Sequence, residues 1–177
     1  MKQKHPRVFY GWWIVGAAFF IALYTAGAVS YGFTTIFEPI VEEFSWSYMQ
    51  VSLAASIRGL ETGLLAPVAG LLVDRLGPRR LLFAGVTLVG MGMMLVSQTT
   101  SLAMFYGAMA LVAIGVSGCS STIVMAAVAN WFRKRIGLAI AIVASGHGFS
   151  GLLVPVMVTL VDRYEWRTAV VVIGAGM

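Results

Sequence analysis

Six stretches of this chain, roughly residues 12–33, 49–73, 81–97, 102–128, 137–161 and 168–177, are apolar at nearly every position rather than along one face. A bilayer core about 30 Å thick takes roughly 20 helical residues, so each of the first five stretches predicts a membrane-spanning helix. The sixth stops about halfway, and the expectation is a six-helix bundle whose sixth helix is truncated. Barrel strands would alternate polar and apolar positions over about ten residues, and these runs do not. A cleaved leader would need small residues where Phe33, Ile36, Phe37 and Glu38 stand, so the first run is kept as a helix. The fold class expected is an all-α membrane protein.

A repeat at an offset of 88 residues organises the bundle. Gly63-Leu64-Leu65, Pro67-Val68 and Val73-Asp74-Arg75 return as Gly151-Leu152-Leu153, Pro155-Val156 and Val161-Asp162-Arg163, and Arg79 returns as Arg167. An odd number of spans separates the copies, so the second is expected upside down relative to the first. The prediction is a 3+3 inverted repeat, with one unit at about 12–98 and the other at about 102–177.

Composition supports the bilayer as solvent: 59% of residues are hydrophobic and 11% charged, against about 25% charged in a soluble domain. The net charge of +5 is distributed as a topology signal. Lys2, Lys4 and Arg7 precede the first span, Arg75, Arg79 and Arg80 join the second and third, and Arg133, Lys134 and Arg135 join the fourth and fifth. The opposite side carries Arg163 and Arg167 with Glu38, Glu42 and Glu43. The positive-inside rule places the N-terminus in the cytoplasm of a multi-pass protein, in a plasma or bacterial inner membrane. No basic face lies outside these short loops, so no nucleic-acid partner is expected. Trp12, Trp13, Trp46, Trp131 and Trp166 stand near run ends, as interfacial anchors do. Lone Cys119 excludes an internal disulfide. His5 and His147 stand far apart with no thiol companion for Cys119, so no metal site is expected. No glycine-rich loop follows a strand, so no cofactor is expected and the chain reads as a non-enzyme.

The sharpest motif is Gly70-Leu71-Leu72-Val73-Asp74-Arg75-Leu76-Gly77-Pro78-Arg79-Arg80. Gly70 permits close helix approach, and Gly77 with Pro78 makes a tight turn. Asp74 stands at a helix C-terminus, where the dipole opposes a negative charge, so it calls for basic or dipolar partners. This loop resembles the signature G-x-L-x-D-R-x-G-x-R-R of the major facilitator superfamily. The resemblance implies the N-terminal half of a twelve-helix carrier, with a C-terminal six-helix bundle absent here. It further implies that Gly70, Asp74, Arg75, Gly77, Arg79 and Arg80 form a cytoplasmic gating motif in which Asp74 joins an ionic lock with a helix of the other half. Tyr10-Gly11-Trp12-Trp13 and the run from Trp131 through Arg133, Lys134 and Arg135 to Ala139 resemble the monocarboxylate and oxalate/formate branches.

Within the spans, Arg58, Glu61 and His147 are the titratable side chains that call for explanation, because an ionisable group at bilayer depth is costly and marks function by default. Arg58 and Glu61 stand three apart and can neutralise each other on one helix face. Alternatively Arg58 offers its fork of donors to a substrate carboxylate and Glu61 accepts a proton. His147 matches Gly59 by the offset and so falls at a comparable depth, as a substrate donor, a titrating group or a histidine satisfied by a neighbouring carbonyl. Glycines in the third, fourth and fifth spans are read as close-packing surfaces, with backbone exposure to a cavity as the alternative. The function expected is secondary active transport of a small solute, a carboxylate above all, by alternating access with proton coupling or anion exchange. The alternatives are a carrier of sugars, drugs or nucleosides, and a non-transporting scaffold that binds other helices.

Overall fold

Local stop signals divide the apolar runs into helices. The computed structural model describes residues 10–132 and 135–177; Arg133 and Lys134, and the side chains of Tyr10, Ala28, Glu61 and Thr62, lie outside the described set. Helix α1 (Tyr10–Tyr24) passes without interruption through a π-helical segment (Thr25–Tyr31) into α2 (Gly32–Phe44). Ser45 then adopts a left-handed conformation and ends the run. The first span is therefore longer than the apolar stretch 12–33, because α2 carries Glu38, Glu42 and Glu43 on exposed positions while Phe33, Ile36 and Ile40 stay buried. Ser47 and Gln50 form a reciprocal capping box that starts α3 (Tyr48–Leu76). Gly77 at φ 80° and Pro78 at the first helical position turn the chain into α4 (Pro78–Ser97). The Ser101 hydroxyl caps α5 (Leu102–Gly118), which breaks at Cys119–Ser120 before α6 (Ser121–Ala129). Helix α7 (Ile136–Phe149) continues through one turn of 3₁₀ helix, Ser150–Leu152, into α8 (Leu153–Ala175).

Among the described residues, five helical stretches are long and apolar enough to cross a membrane: Gly11–Phe44, Tyr48–Leu76, Pro78–Ser97, Leu102–Ala129 and Ile136–Ala175. The last contains a reversal at Glu165. Before it, Leu153 and Met157 lie against Gly27 and Gly32, and Asp162 shares a recess with Glu38, so the chain runs outward alongside the first span. After it, Arg167 reaches Glu43, and the Ile173 carbonyl accepts a 2.8 Å hydrogen bond from the Tyr24 hydroxyl, so the chain runs back. Glu165 has φ 68° and ψ 151°, and Gly77, 88 positions earlier, has φ 80° and ψ 151°. The same backbone corner thus occurs at both sites, once with glycine and once without.

Helix pairing follows from where small residues let backbones meet. Helix α4 packs on α5 and α8, α3 on α5, and α1 on α7. A Cβ added at Gly115 would stand 2.6 Å from the Val89 nitrogen and 2.9 Å from the Gly85 oxygen; at Gly90 it would stand 3.0 Å from the Gly174 oxygen. One apolar cluster, including Val15, Ala18, Val128, Phe132 and Val143, fills the end where Pro78 and Ile136 begin their helices. A larger one, including Phe33, Ile40, Val89, Phe105 and Trp166, fills the middle and the opposite end. Trp166, expected as an interfacial anchor, is only 5% exposed and packs in the core, whereas Trp13 at 71% and Trp131 at 45% are exposed.

Candidate functional site

The first span is π-helical from Thr25 to Tyr31, where its glycines bring it close against the 3₁₀ turn Ser150–Leu152 and α8. A Cβ at Gly27 would meet the Ser150 oxygen at 2.7 Å, and one at Gly32 would collide with the Met157 side chain. Such segments reroute backbone carbonyls and recur at functional sites. Here the Val29 carbonyl accepts a 2.8 Å hydrogen bond from Nη1 of Arg58 on α3. The Arg58 guanidinium also lies 5.4 Å from the centroid of the Phe33 ring, a cation–π distance. Beside it opens a recess of about 340 Å³ lined by Val29, Ser30, Ala55, Arg58, Gly59 and Val116, with Gly63 at its edge.

The sequence candidates do not all converge there. Arg58 lines the recess, and the Glu61 side chain lies outside the described set. His147 stands on the exposed side of α7 and is not among the residues lining the recess; its carbonyl accepts the Ser150 hydroxyl. Gly59, Gly63 and Gly70 on α3, and Gly137, Gly148 and Gly151 around α7, have nothing within 4 Å of an added Cβ. Gly107 on α5 is open as well, whereas Gly146 on α7 stands as tightly against α1 as Gly85, Gly92, Gly115 and Gly118 stand between α4 and α5, a division the sequence does not display.

In the loop motif, Asp74, Arg75, Arg79 and Arg80 are exposed, and Arg79 lies 5.9 Å from the Phe83 ring centroid. Among the described residues Asp74 takes no ion pair. Arg135 is exposed as well, while Arg133 and Lys134 lie outside the described residues.

The opposite end carries a network that the sequence reading did not single out. Arg167 donates through Nε and Nη2 to Oε1 of Glu43 at 3.2 and 2.7 Å, through Nη1 to the Ser97 carbonyl at 2.7 Å, and through Nη2 to the Thr99 carbonyl at 3.0 Å. The Trp166 indole N–H donates to the other Glu43 oxygen. One guanidinium thereby ties the end of α2 to the end of α4, where helix carbonyls lack intrahelical partners. The signal available was an acid and an arginine on the same side of the bilayer. Near it, Thr34, Thr35, Glu38, Tyr48 and Asp162 line an open recess of about 500 Å³ between α2, α3 and α8.

An apolar chain that doubles back at Gly77 and Glu165, pairs its helices through glycine contacts and carries an arginine beside a recess has the build of a carrier bundle, and the profile of the Major Facilitator Superfamily matches residues 6–177. The chain belongs to the Major Facilitator Superfamily. Among the superfamily's curated members, it is 29% identical over 175 residues to monocarboxylate transporter 13 of Rattus norvegicus, covering 98% of this chain and 41% of the relative. It is 30% identical over 176 residues to monocarboxylate transporter 12 of Xenopus laevis, covering 98% and 38%. Over 111 residues it is 35% identical to the fujikurins efflux protein of Gibberella fujikuroi, covering 59% of this chain and 24% of that one. The chain spans about two fifths of the length of the monocarboxylate transporters it matches.

Proposed function

We propose that this superfamily chain is one bundle of a secondary carrier for a small organic anion, a monocarboxylate above all, and that Arg58 holds the substrate carboxylate. The observation that carries the reading is the placement of Arg58: a partly buried guanidinium, held by a π-segment carbonyl, at the edge of a recess. A fork of donors in a partly dry setting suits a carboxylate, and Lys does not reproduce its two parallel bonds. The recess opens beside Gly59 and Gly63, on the bare side of α3. A second bundle resting on the open faces of α3 and α7 encloses it, and alternating access follows from rocking of one bundle against the other. The names of the monocarboxylate relatives favour this substrate class.

The same proposal takes residues 12–98 and 102–177 as inverted repeats. Support comes from the shared corner at Gly77 and Glu165 and from reciprocal packing, α3 on α5 and α1 on α7. The end with Arg75, Arg79, Arg80 and Arg135 is then cytoplasmic, and Asp74 is free to lock against the second bundle there.

The test is carboxylate uptake by the full-length protein in proteoliposomes at matched abundance. Arg58→Lys is expected to raise the half-maximal substrate concentration about tenfold with a smaller change in maximal rate. Arg58→Ala is expected to abolish uptake, and Arg58→Ala with Glu61→Ala to restore abundance without transport. Recovery of both abundance and transport in the double variant makes the pair structural and overturns the assignment. A carrier that moves only neutral or cationic solutes overturns the substrate class.

A further inference from the structure

Helix α3 has a second crease, facing away from its open glycines. Val68 and Leu72 of α3, Leu81, Ala84 and Leu88 of α4, and Ile114 of α5 line an apolar groove of about 170 Å³. It opens outward, since Val68, Ala84 and Ile114 are all exposed. From Leu81 to Leu88 it extends about 10 Å along the helix axis, from the α3–α4 turn towards the middle of the bundle. At the turn end, Arg75 lies three residues beyond Leu72 on α3, and Arg80 immediately precedes Leu81 on α4, both exposed. Only Gly77 separates the two helices there, so both arginines stand at the mouth of the groove. Helix α4 also begins at that point, and the first amides of a helix carry a partial positive charge. Asp74, the nearest acid in sequence, stands two residues beyond Leu72 and so on the opposite side of α3.

We propose that this groove seats one molecule of an anionic phospholipid, with an acyl chain along Leu72, Leu81, Ala84 and Leu88 and the phosphate between Arg75 and Arg80. A bare apolar crease in a bilayer accepts any lipid tail; the two guanidiniums at its mouth make the choice of headgroup. Each basic residue close to an acidic headgroup contributes about a fivefold preference at the membrane surface. Both together, partly screened by salt, give about tenfold. This inference concerns a lipid ligand and does not depend on which solute the protein carries.

The experiment is native mass spectrometry of the full-length protein from mixed micelles holding equal amounts of phosphatidylglycerol and phosphatidylcholine with matched chains, after a delipidating detergent wash. Phosphatidylglycerol is expected to be retained at one molecule per protein, about tenfold over phosphatidylcholine. Arg75→Gln with Arg80→Gln is expected to remove that preference, and Ala84→Phe, which fills the groove without touching a charge, to remove the bound molecule. Glycerol phosphate, a headgroup without tails, is expected not to displace it. Equal retention of the two lipids by the unsubstituted protein overturns the proposal, and this arm needs no variant. Unchanged retention in Ala84→Phe, with near-ultraviolet circular dichroism intact, or displacement by glycerol phosphate reduces the site to charge alone and also overturns it.

Discussion

At the residue scale, the two corners at Gly77 and Glu165 pose a controlled comparison. Both adopt positive φ with extended ψ, a region essentially reserved for glycine, in which another residue stores about 1–3 kcal/mol. Glycine suits Gly77; Glu165 bears the strain, and its side chain is exposed. The corner is kept by its surroundings: Trp166 is buried next to it, and Arg167 is fixed by Glu43 and the Ser97 and Thr99 carbonyls. Glu165→Gly is therefore expected to stabilise the protein by about 1 kcal/mol, the strain relieved less the added freedom of glycine in the unfolded chain. A thermal unfolding midpoint in detergent raised by a few degrees is the expected reading; an unchanged or lower midpoint removes strain as the account. The corner's position was legible from the 88-residue echo, but its geometry was not, since Tyr164-Glu165 replaces Leu76-Gly77 and removes the glycine that announces such a turn.

At the element scale, glycine has two employments that one sequence pattern conceals. Gly115 on α5 faces α4 so closely that a methyl group would meet the backbone nitrogen of Val89. Gly63 on α3 meets nothing within 4 Å. Gly115→Ala must push two helices apart, and overpacking of this kind costs about 1–3 kcal/mol. Gly63→Ala costs this bundle nothing sterically and favours the helix slightly. The expected outcome is a sharp loss of folded protein for Gly115→Ala, measured by fluorescence-detected size exclusion. For Gly63→Ala, folded abundance is expected to be preserved while uptake falls, because the methyl group enters the surface proposed to face a second bundle. Loss of abundance in both variants, or normal uptake in Gly63→Ala, contradicts that division. Gly115 was read from the sequence as a packing surface and Gly63 only as part of the repeat; whether a glycine is tight or open depends on which helix lies opposite, and that is a property of the assembled bundle.

At the scale of the whole molecule, the charges sort to the two ends of the bundle. Arg75, Arg79, Arg80 and Arg135 fall at the end that holds Phe132 and the start of α1, and Glu43, Thr99 and Tyr164 at the other. With Cys119 replaced by Ala to remove the native thiol, single cysteines at Thr100 and Tyr164, both exposed, are expected to react with an impermeant thiol reagent added outside intact cells. A cysteine at Arg80 is expected to react only once the membrane is opened. Equal labelling of all three from outside contradicts the assigned sidedness.

The apolar runs by themselves determined that this chain is helical and crosses a membrane, since a backbone without water must satisfy its own hydrogen bonds and only long helices do so within one segment. The loop motif and the distribution of arginines were equally local, carried by neighbouring residues and by short-range turn chemistry. Tertiary structure decided everything that depends on approach between helices. It set the π-helical segment Thr25–Tyr31 against the 3₁₀ turn Ser150–Leu152 and α8, turned the Val29 carbonyl to Arg58, and joined Glu43 to Arg167 across 124 positions. It also buried Trp166. In a chain apolar on every face, hydrophobic periodicity does not say which side of a helix meets its neighbour. Close packing of glycine backbones and the few polar groups that must find partners decide it instead.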